Sequence, residues 1–324
     1  MFKPFLDSKA RGTDNNVINL DFNDSIIQDQ TKVANCLVDY FTTVANDIGD
    51  PHMLSRTEEE LKDHKSVQNM RKVATTNGVQ FKFRNFNVKE VTRALETLNP
   101  NKSIGHDKIP PRVLTMACNV LAPSLTNIFN VCIQTSNWPE QWKRGIWVPL
   151  HKKDNHSDIK NYRPITILAA VDKVFEQLLS NQVTQFMEPH LSNCLTAYRK
   201  QNSCETIKLM EDWKEALDCS NVVGILLTDL SKAFDSLHPP LLLAKLKAYG
   251  FEDCALGLMK TYFSERWNRV RIGTDTMSDW RKTERGSPQG SNFGPLMWNI
   301  FQNDLMYNIQ TDKCSVMMYA DDPA

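Results

Sequence analysis

Two short apolar runs each end in carboxylates, and they restrict the possible folds of this chain more than any other feature. "VVGILLTD" at 222–229 and "SVMMYADD" at 315–322 read as buried strands from their unbroken apolar stretches. The first delivers Asp229 to its C-terminal end, and the second delivers Asp321 and Asp322. A carboxylate there is costly by several kcal/mol unless it is solvated, paired or bound to a cation. If the two strands are neighbours, three acids converge on one sheet edge. Like charges that close raise one another's pKa values unless a cation neutralises them. A hard divalent ion accepts oxygen ligands from carboxylates and phosphates, so Mg²⁺ is the natural tenant, with Mn²⁺ as a substitute. Two such ions clamp the attacking and leaving oxygens of an in-line phosphoryl displacement. Taken singly, each motif also has a plain structural reading: Asp229 could cap the turn into "SKAF", and an isolated pair of Asp residues is usually a solvated turn.

The chain has 324 residues, which suggests about two domains and ample sequence for a core. Its 41% hydrophobic and 23% charged fractions fit a globular protein. Net charge is zero but unevenly spread: residues 1–60 hold 5 Lys/Arg against 11 Asp/Glu, and the remainder 33 against 27. An acidic head on a basic body is compatible with a nucleic-acid partner. Eight scattered cysteines with no CxxC pair suggest neither a zinc site nor a disulfide framework. The N-terminus lacks the apolar stretch of a signal peptide, and "VVGILL" at 222–227 is too short to cross a membrane. These features predict a soluble intracellular protein, nuclear, cytoplasmic or both, and not secreted.

Periodicity supplies the elements. "VINLDF" is a short strand candidate. Val33, Leu37, Phe41, Val44 and Ile48 define one face of an amphipathic helix that Gly49 and Pro51 end. A further helix is expected within 57–73. Asn87 with Glu90 resembles a capping box, opening a helix with Val88, Val91, Leu95 and Leu98. Pro110 and Pro111 suit a first turn, and two helices split near Pro123 follow, with Leu121, Leu125, Ile128, Phe129 and Cys132 inward. "GIWVPL" reads as a strand leading into a basic loop. Helices fit 170–188 and 204–218, another starts at Pro239-Pro240 and is capped by Gly250, and Pro295 opens one carrying Leu296, Ile300 and Leu305. "WNRVRIG" and "SDWRKTERG" suggest paired strands around Thr274-Asp275. Trp138, Trp142 and Trp147 read as core residues rather than base-stacking platforms.

"DLSKAFD", "GSPQGSNFGPLMWNIFQNDL" and "YADD" resemble, in order and spacing, the three central motifs of reverse transcriptases. The likeness is to the LINE-like, jockey-type enzymes of non-LTR retrotransposons. Upstream, "LNPNKSIGHDKIPPRVL", "WPEQWKRGIWVPLHKKD" and "NYRPITILAAVDKVFEQLL" resemble the fingers motifs, and "VANCLVDYFTTVANDIG" resembles the connector of full-length elements. The resemblance implies an α+β right-hand polymerase, with an antiparallel palm sheet backed by helices. It divides the chain into a connector with an amphipathic helix at 1–85, fingers at 86–221 and palm at 222–324, cut off after the catalytic hairpin turn with no thumb.

The implied activity is RNA-directed DNA polymerisation by two-metal nucleotidyl transfer, with an RNA template, a DNA primer and dNTPs as partners. Asp229, Asp321 and Asp322 are then the catalytic, metal-binding acids. Lys152 and Arg163 contact the incoming triphosphate, Phe234 blocks a ribose 2′-hydroxyl, and Gln289 and Gly290 lie at the nascent pair and template. Gly286 and Gly290 permit close backbone approach to a nucleotide, and Asp235 is a structural hydrogen-bonding residue. Ser287, Asn292 and Phe293 depart from the usual Val and Leu of the motif, and His106 replaces a common Pro. Pro323 is expected to suit a returning strand poorly, because it has no N–H for the ladder. A contrasting expectation is a truncated, inactive retroelement remnant that at most binds nucleic acid.

Overall fold

The computed structural model describes residues 17–22, 25–49, 52, 55–73, 79–152, 154–199, 205–224, 230, 232–309, 318–319 and 322–323. A β1–β2 hairpin (Leu20–Phe22, Ser25–Ile27) precedes α1 (Gln30–Thr43), α2 (Lys65–Val73), α3 (Val88–Glu96), α4 (Pro111–Met116) and α5 (Cys118–Thr135). Strands β3 (Arg144–His151) and β4 (Tyr162–Ile167) follow, then α6 (Ala170–Met187), α7 (Glu205–Asp218), α8 (Ala233–Ser236), α9 (Pro239–Ala248) and α10 (Asp253–Phe263). Next come β5 (Arg266–Ile272), β6 (Thr276–Met277), β7 (Arg281–Thr283), α11 (Phe293–Ile309) and the short pair β8 (Met318–Tyr319) and β9 (Asp322–Pro323).

Local chemistry sets many of these boundaries. The Asp29 side chain accepts from the Thr31 and Lys32 amides at the start of α1. The capping box at α3 is complete: Asn87 accepts from the Glu90 amide at 3.0 Å, and Glu90 accepts from the Asn87 amide at 3.0 Å. Pro111 occupies the first turn of α4, and Gly250 follows α9 with φ +95°.

A five-stranded sheet packs one face against α1. β3 pairs antiparallel with β4 (Leu150 opposite Arg163) and parallel with β5 (Ile146 opposite Arg269), and β5 pairs with both β6 and β7. Alternation sends Trp147, Tyr162, Val270 and Ile272 to one face. There they bury Val33, Leu37 and Phe41 of α1, with Phe41 edge-on to Trp147 at 5.7 Å. The main core joins α3, α5, α6 and α9–α11 around Phe129, Trp138, Phe175, Tyr262 and Phe293. Trp138 is fully enclosed and Trp147 nearly so, as expected of core tryptophans.

Several details differ from the periodicity reading. The helix break falls at Ala117, and Pro123 lies inside α5. Pro123 sits in the second turn, where the helix forgoes one i→i−4 bond, to the Asn119 carbonyl, yet continues to Thr135. With that rotation Ile128 is exposed, while Ala122, Thr126 and Ile133 turn inward. Helix α1 stops at Thr43, so Val44 and Ile48 are only half-buried in the turn beyond it. The region 57–73 is helical only from Lys65. Residues 222–224 form no regular structure, and the rest of the expected 222–229 strand lies outside the described residues.

Pro323 is also a correction. It stands opposite Met318, with Asp322 opposite Tyr319. In an antiparallel ladder, hydrogen-bonded and non-hydrogen-bonded pairs alternate. Two residues separate Tyr319 from Asp322, so that pair exchanges the hydrogen bonds and the next does not. The proline therefore forfeits no ladder bond.

Candidate functional site

The turn "GSPQG" at 286–290 is where the separate motifs meet. Gly286 has φ +81°, and a Cβ there would lie 3.0 Å from the Phe234 carbonyl oxygen. This close approach lets the Gly286 amide donate to the Leu237 carbonyl at 2.8 Å and the Ser287 amide to that of Phe234 at 3.0 Å. Gly290 has φ +122°, and its virtual Cβ would lie 2.8 Å from the Thr166 carbonyl oxygen on β4. Next to it, the Thr166 amide donates to the Gln289 carbonyl at 2.8 Å. The two glycines thus admit the chain's own backbone, from "AFDS" and "YRPIT". The glycine requirement is visible in the sequence; what approaches each glycine is not.

Gln289 and Asp235 form a direct pair. The Gln289 amide nitrogen donates to both carboxylate oxygens, at 3.0 and 3.2 Å. Burial pushes the Asp235 carboxyl above its ordinary pKa, opposed by the Gln289 bond and by the charges of Lys232 and Arg163. Asp235 is a hydrogen-bonding residue inside the fold, as the sequence reading assigns it. Phe234 lies half-buried beside it, with its ring 5.8 Å from Trp298 and 6.3 Å from Tyr198.

The triphosphate candidates flank the same hairpin. Arg163 is exposed on β4 opposite Leu150, and Lys152 is exposed just past β3, with its amide donating to the Asn161 carbonyl at 2.8 Å. His151 and His156 stack at 3.7 Å. Asp229 and Asp321 lie outside the described residues, and of Asp322 only the backbone pairing with Tyr319 is described. Among the described residues, no three His, Cys, Asp or Glu side chains are grouped to hold a metal ion. No helix among them is long and apolar enough to cross a membrane.

A buried acid pair was not anticipated. Asp172 and Glu176, one turn apart on α6, are both fully enclosed. Trp138 Nε1 donates to Asp172 Oδ1 at 2.9 Å, while Asp172 Oδ2 has no partner. Glu176 accepts from the Tyr262 hydroxyl at 2.8 Å and from the Asn292 amide at 2.7 Å, directly after the glycine turn. Burial raises both carboxyl pKa values, and the charge of Glu176 raises Asp172 further. In sequence, acids at i and i+4 look like a solvated helix face, so only the tertiary environment identifies them.

Residues 150–324 match the family described as "Reverse transcriptase (RNA-dependent DNA polymerase)", and the chain belongs to this family. Within it, the chain is of the LINE-like, non-LTR retrotransposon kind. It is 27% identical over 247 residues to the probable RNA-directed DNA polymerase from transposon BS of Drosophila melanogaster, covering 73% of this chain and 27% of that one. It is 24% identical over 247 residues to the RNA-directed DNA polymerase from mobile element jockey of the same fly, again covering 73% and 27%. To the putative 115 kDa protein in type-1 retrotransposable element R1DM, also of Drosophila melanogaster, it is 27% identical over 240 residues, covering 72% and 22%. The chain spans about a quarter of the length of these curated relatives.

Proposed function

We propose that this chain carries the fingers and palm of an RNA-directed DNA polymerase from a non-LTR retrotransposon, with residues 86–221 as fingers, 222–324 as palm and 1–85 as a connector. The observation that carries the reading is the convergence of "YRPIT", "AFDS" and "GSPQG" through Thr166, Asp235 and Gln289. Three motifs far apart in sequence meet in one constellation next to the basic hairpin of Lys152 and Arg163.

Asp229, Asp321 and Asp322 would hold two Mg²⁺ ions (Mn²⁺ is an alternative). Carboxylates are the hard oxygen donors these ions require, and Asp321 and Asp322 are adjacent in sequence. When bound, the ions neutralise charge developing on the transferred phosphoryl group. Lys152 and Arg163 bind and orient the triphosphate, Arg163 through the bidentate geometry available to guanidinium. Phe234 shapes the sugar side of the site against a 2′-hydroxyl. Gln289, held by Asp235, sets the floor under the nascent pair beside Gly290. Positioning supplies most of the rate enhancement in such a transfer. The substrates are dNTPs on a DNA primer annealed to an RNA template.

Primer extension on a homopolymeric RNA template tests this. Asp229→Asn and Asp322→Asn should each reduce incorporation by orders of magnitude, and near-normal extension by either would refute the assignment. Phe234→Val should raise rNTP use relative to dNTP, and an unchanged ratio would leave Phe234 as a packing residue only.

A further inference from the structure

The N-terminal helix lies outside the 150–324 family match, yet its C-terminal end touches the glycine turn. Arg285, the residue before Gly286, donates through Nη1 to the Ala45 carbonyl at 2.8 Å and the Ile48 carbonyl at 2.7 Å. These carbonyls belong to the turn that follows α1, where the negative end of the helix dipole favours a cation. Lys232, at the start of the "AFDS" segment, reaches the same end: its Nζ donates to the Val44 carbonyl at 3.3 Å and lies 5.6 Å from the Tyr40 ring centroid. Phe41, Thr42 and Ala45 line one pocket together with Ser287, Pro288 and Gln289. The helix is also anchored away from the turn, by Arg281 on Asp39 at 2.7 Å and by the Asp279 amide on Asn35 at 2.9 Å.

We infer that α1 and the turn after it are a working part of the polymerase body, with Arg285 as the positioning residue that ties the Ala45 and Ile48 carbonyls to the Gly286–Gly290 turn and so sets the placement of Gln289. The inference rests on the polymerase reading only for its kinetic consequence. The geometry explains why a basic residue stands next to Gly286. One guanidinium nitrogen bridges two carbonyls of the turn after the helix, sharing that of Ala45 with the Ile48 amide, and the turn it precedes cannot shift without breaking those bonds. Arg285 acts through the turn and touches no reacting atom.

Hydrogen exchange on the full 324-residue chain tests the tie directly. In Arg285→Ala the Gly286 and Ser287 amides should exchange about tenfold faster or more, as expected on losing charge-assisted bonds. Arg281→Ala, which loosens the same helix away from the turn, should leave those amides unchanged. Unchanged exchange in Arg285→Ala, or equal acceleration in both variants, overturns the inference. If the wild-type chain incorporates dNTPs, Arg285→Ala should raise the dNTP KM severalfold with a smaller effect on kcat, and Arg285→Lys should recover part of it. An unchanged KM overturns the positioning role. If the wild-type chain incorporates nothing, the polymerase reading fails, and the exchange result still decides whether Arg285 ties helix to turn.

Discussion

Gly290→Ala separates two reasons for a glycine at this position. If the residue exists to admit a nucleotide, the variant should fold like the parent. The geometry says otherwise: at φ +122° an alanine occupies backbone space that L side chains rarely adopt, and its Cβ would lie 2.8 Å from the Thr166 carbonyl oxygen. The strained backbone costs about 1–3 kcal/mol. Relief of the clash pushes the turn from β4 and weakens the 2.8 Å bond from the Thr166 amide to the Gln289 carbonyl, a further loss of about 0.5–1.5 kcal/mol. The expected destabilisation is therefore roughly 2–4 kcal/mol, a large share of the ~5–15 kcal/mol typical of a folded protein. Urea unfolding without nucleotide or metal measures it, as a lowered midpoint at unchanged slope. Gly273→Ala is the control: φ is +62° and no atom lies within 4 Å of the new Cβ, so only the left-handed penalty of about 1–2 kcal/mol applies. If Gly290→Ala is no more destabilising than Gly273→Ala, the close approach to β4 is not why the glycine is there.

Asp172 should make stability fall as pH rises. Its pKa is raised in the folded state by burial and by Glu176, so the native chain binds that proton more tightly than the unfolded one. Its stabilising contribution is full below about pH 4 and is lost as pH climbs through the raised value. Asp172→Asn keeps an acceptor for Trp138, so its Tm should fall less steeply with pH than the parent's, and parallel curves would contradict this. Lys245→Met leaves Asp304 without the buried cation now 2.6 Å away and should cost about 3–5 kcal/mol in urea unfolding, much of it recovered by adding Asp304→Leu. Asn87→Ala removes one half of the α3 capping box and should cost about 1 kcal/mol, read in the same assay.

Features encoded within a few residues could be read from the sequence. The Asn87–Glu90 box, the proline start of α4, the glycine after α9 and the hairpin around Thr274-Asp275 depend on near neighbours. Pairing across long separations left no such trace. β3 lies parallel to β5 with Trp147 opposite Val270, more than a hundred residues apart, and neither strand carries a mark of its partner. Helix α10 escaped notice because "DCALGLMKTYF" is apolar almost all round, with Leu256, Leu258, Met259, Tyr262 and Phe263 all buried. A helix enclosed on most sides loses the periodic contrast by which amphipathic helices are recognised. The polar side of α11 was hidden for a related reason. Asn303 looks like a surface residue in sequence, yet it is fully buried: its amide nitrogen donates to the Tyr249 hydroxyl at 2.7 Å and the His190 carbonyl at 2.9 Å.

The candidate site follows the same division, with a consequence for how its parts depend on one another. Sequence identifies which residue types the chemistry needs, because the motifs around Asp235 and Gln289 are contiguous. It does not identify what holds them. The turn is held by β4 at Thr166, by the "AFDSL" segment at Phe234 and Leu237, by α6 through Glu176 on the Asn292 amide, and by the turn after α1 through Arg285. Buried backbone groups must find partners, and here those partners come from every quarter of the fold around the turn. A shift in any support therefore reaches Gln289 through a short chain of hydrogen bonds. Glu176 couples the turn to the main core through Tyr262, and Arg285 couples it to the second core beneath the sheet through α1. The two cores meet at this turn, so its geometry should respond to mutations in either, including those at residues that share no sequence motif with it.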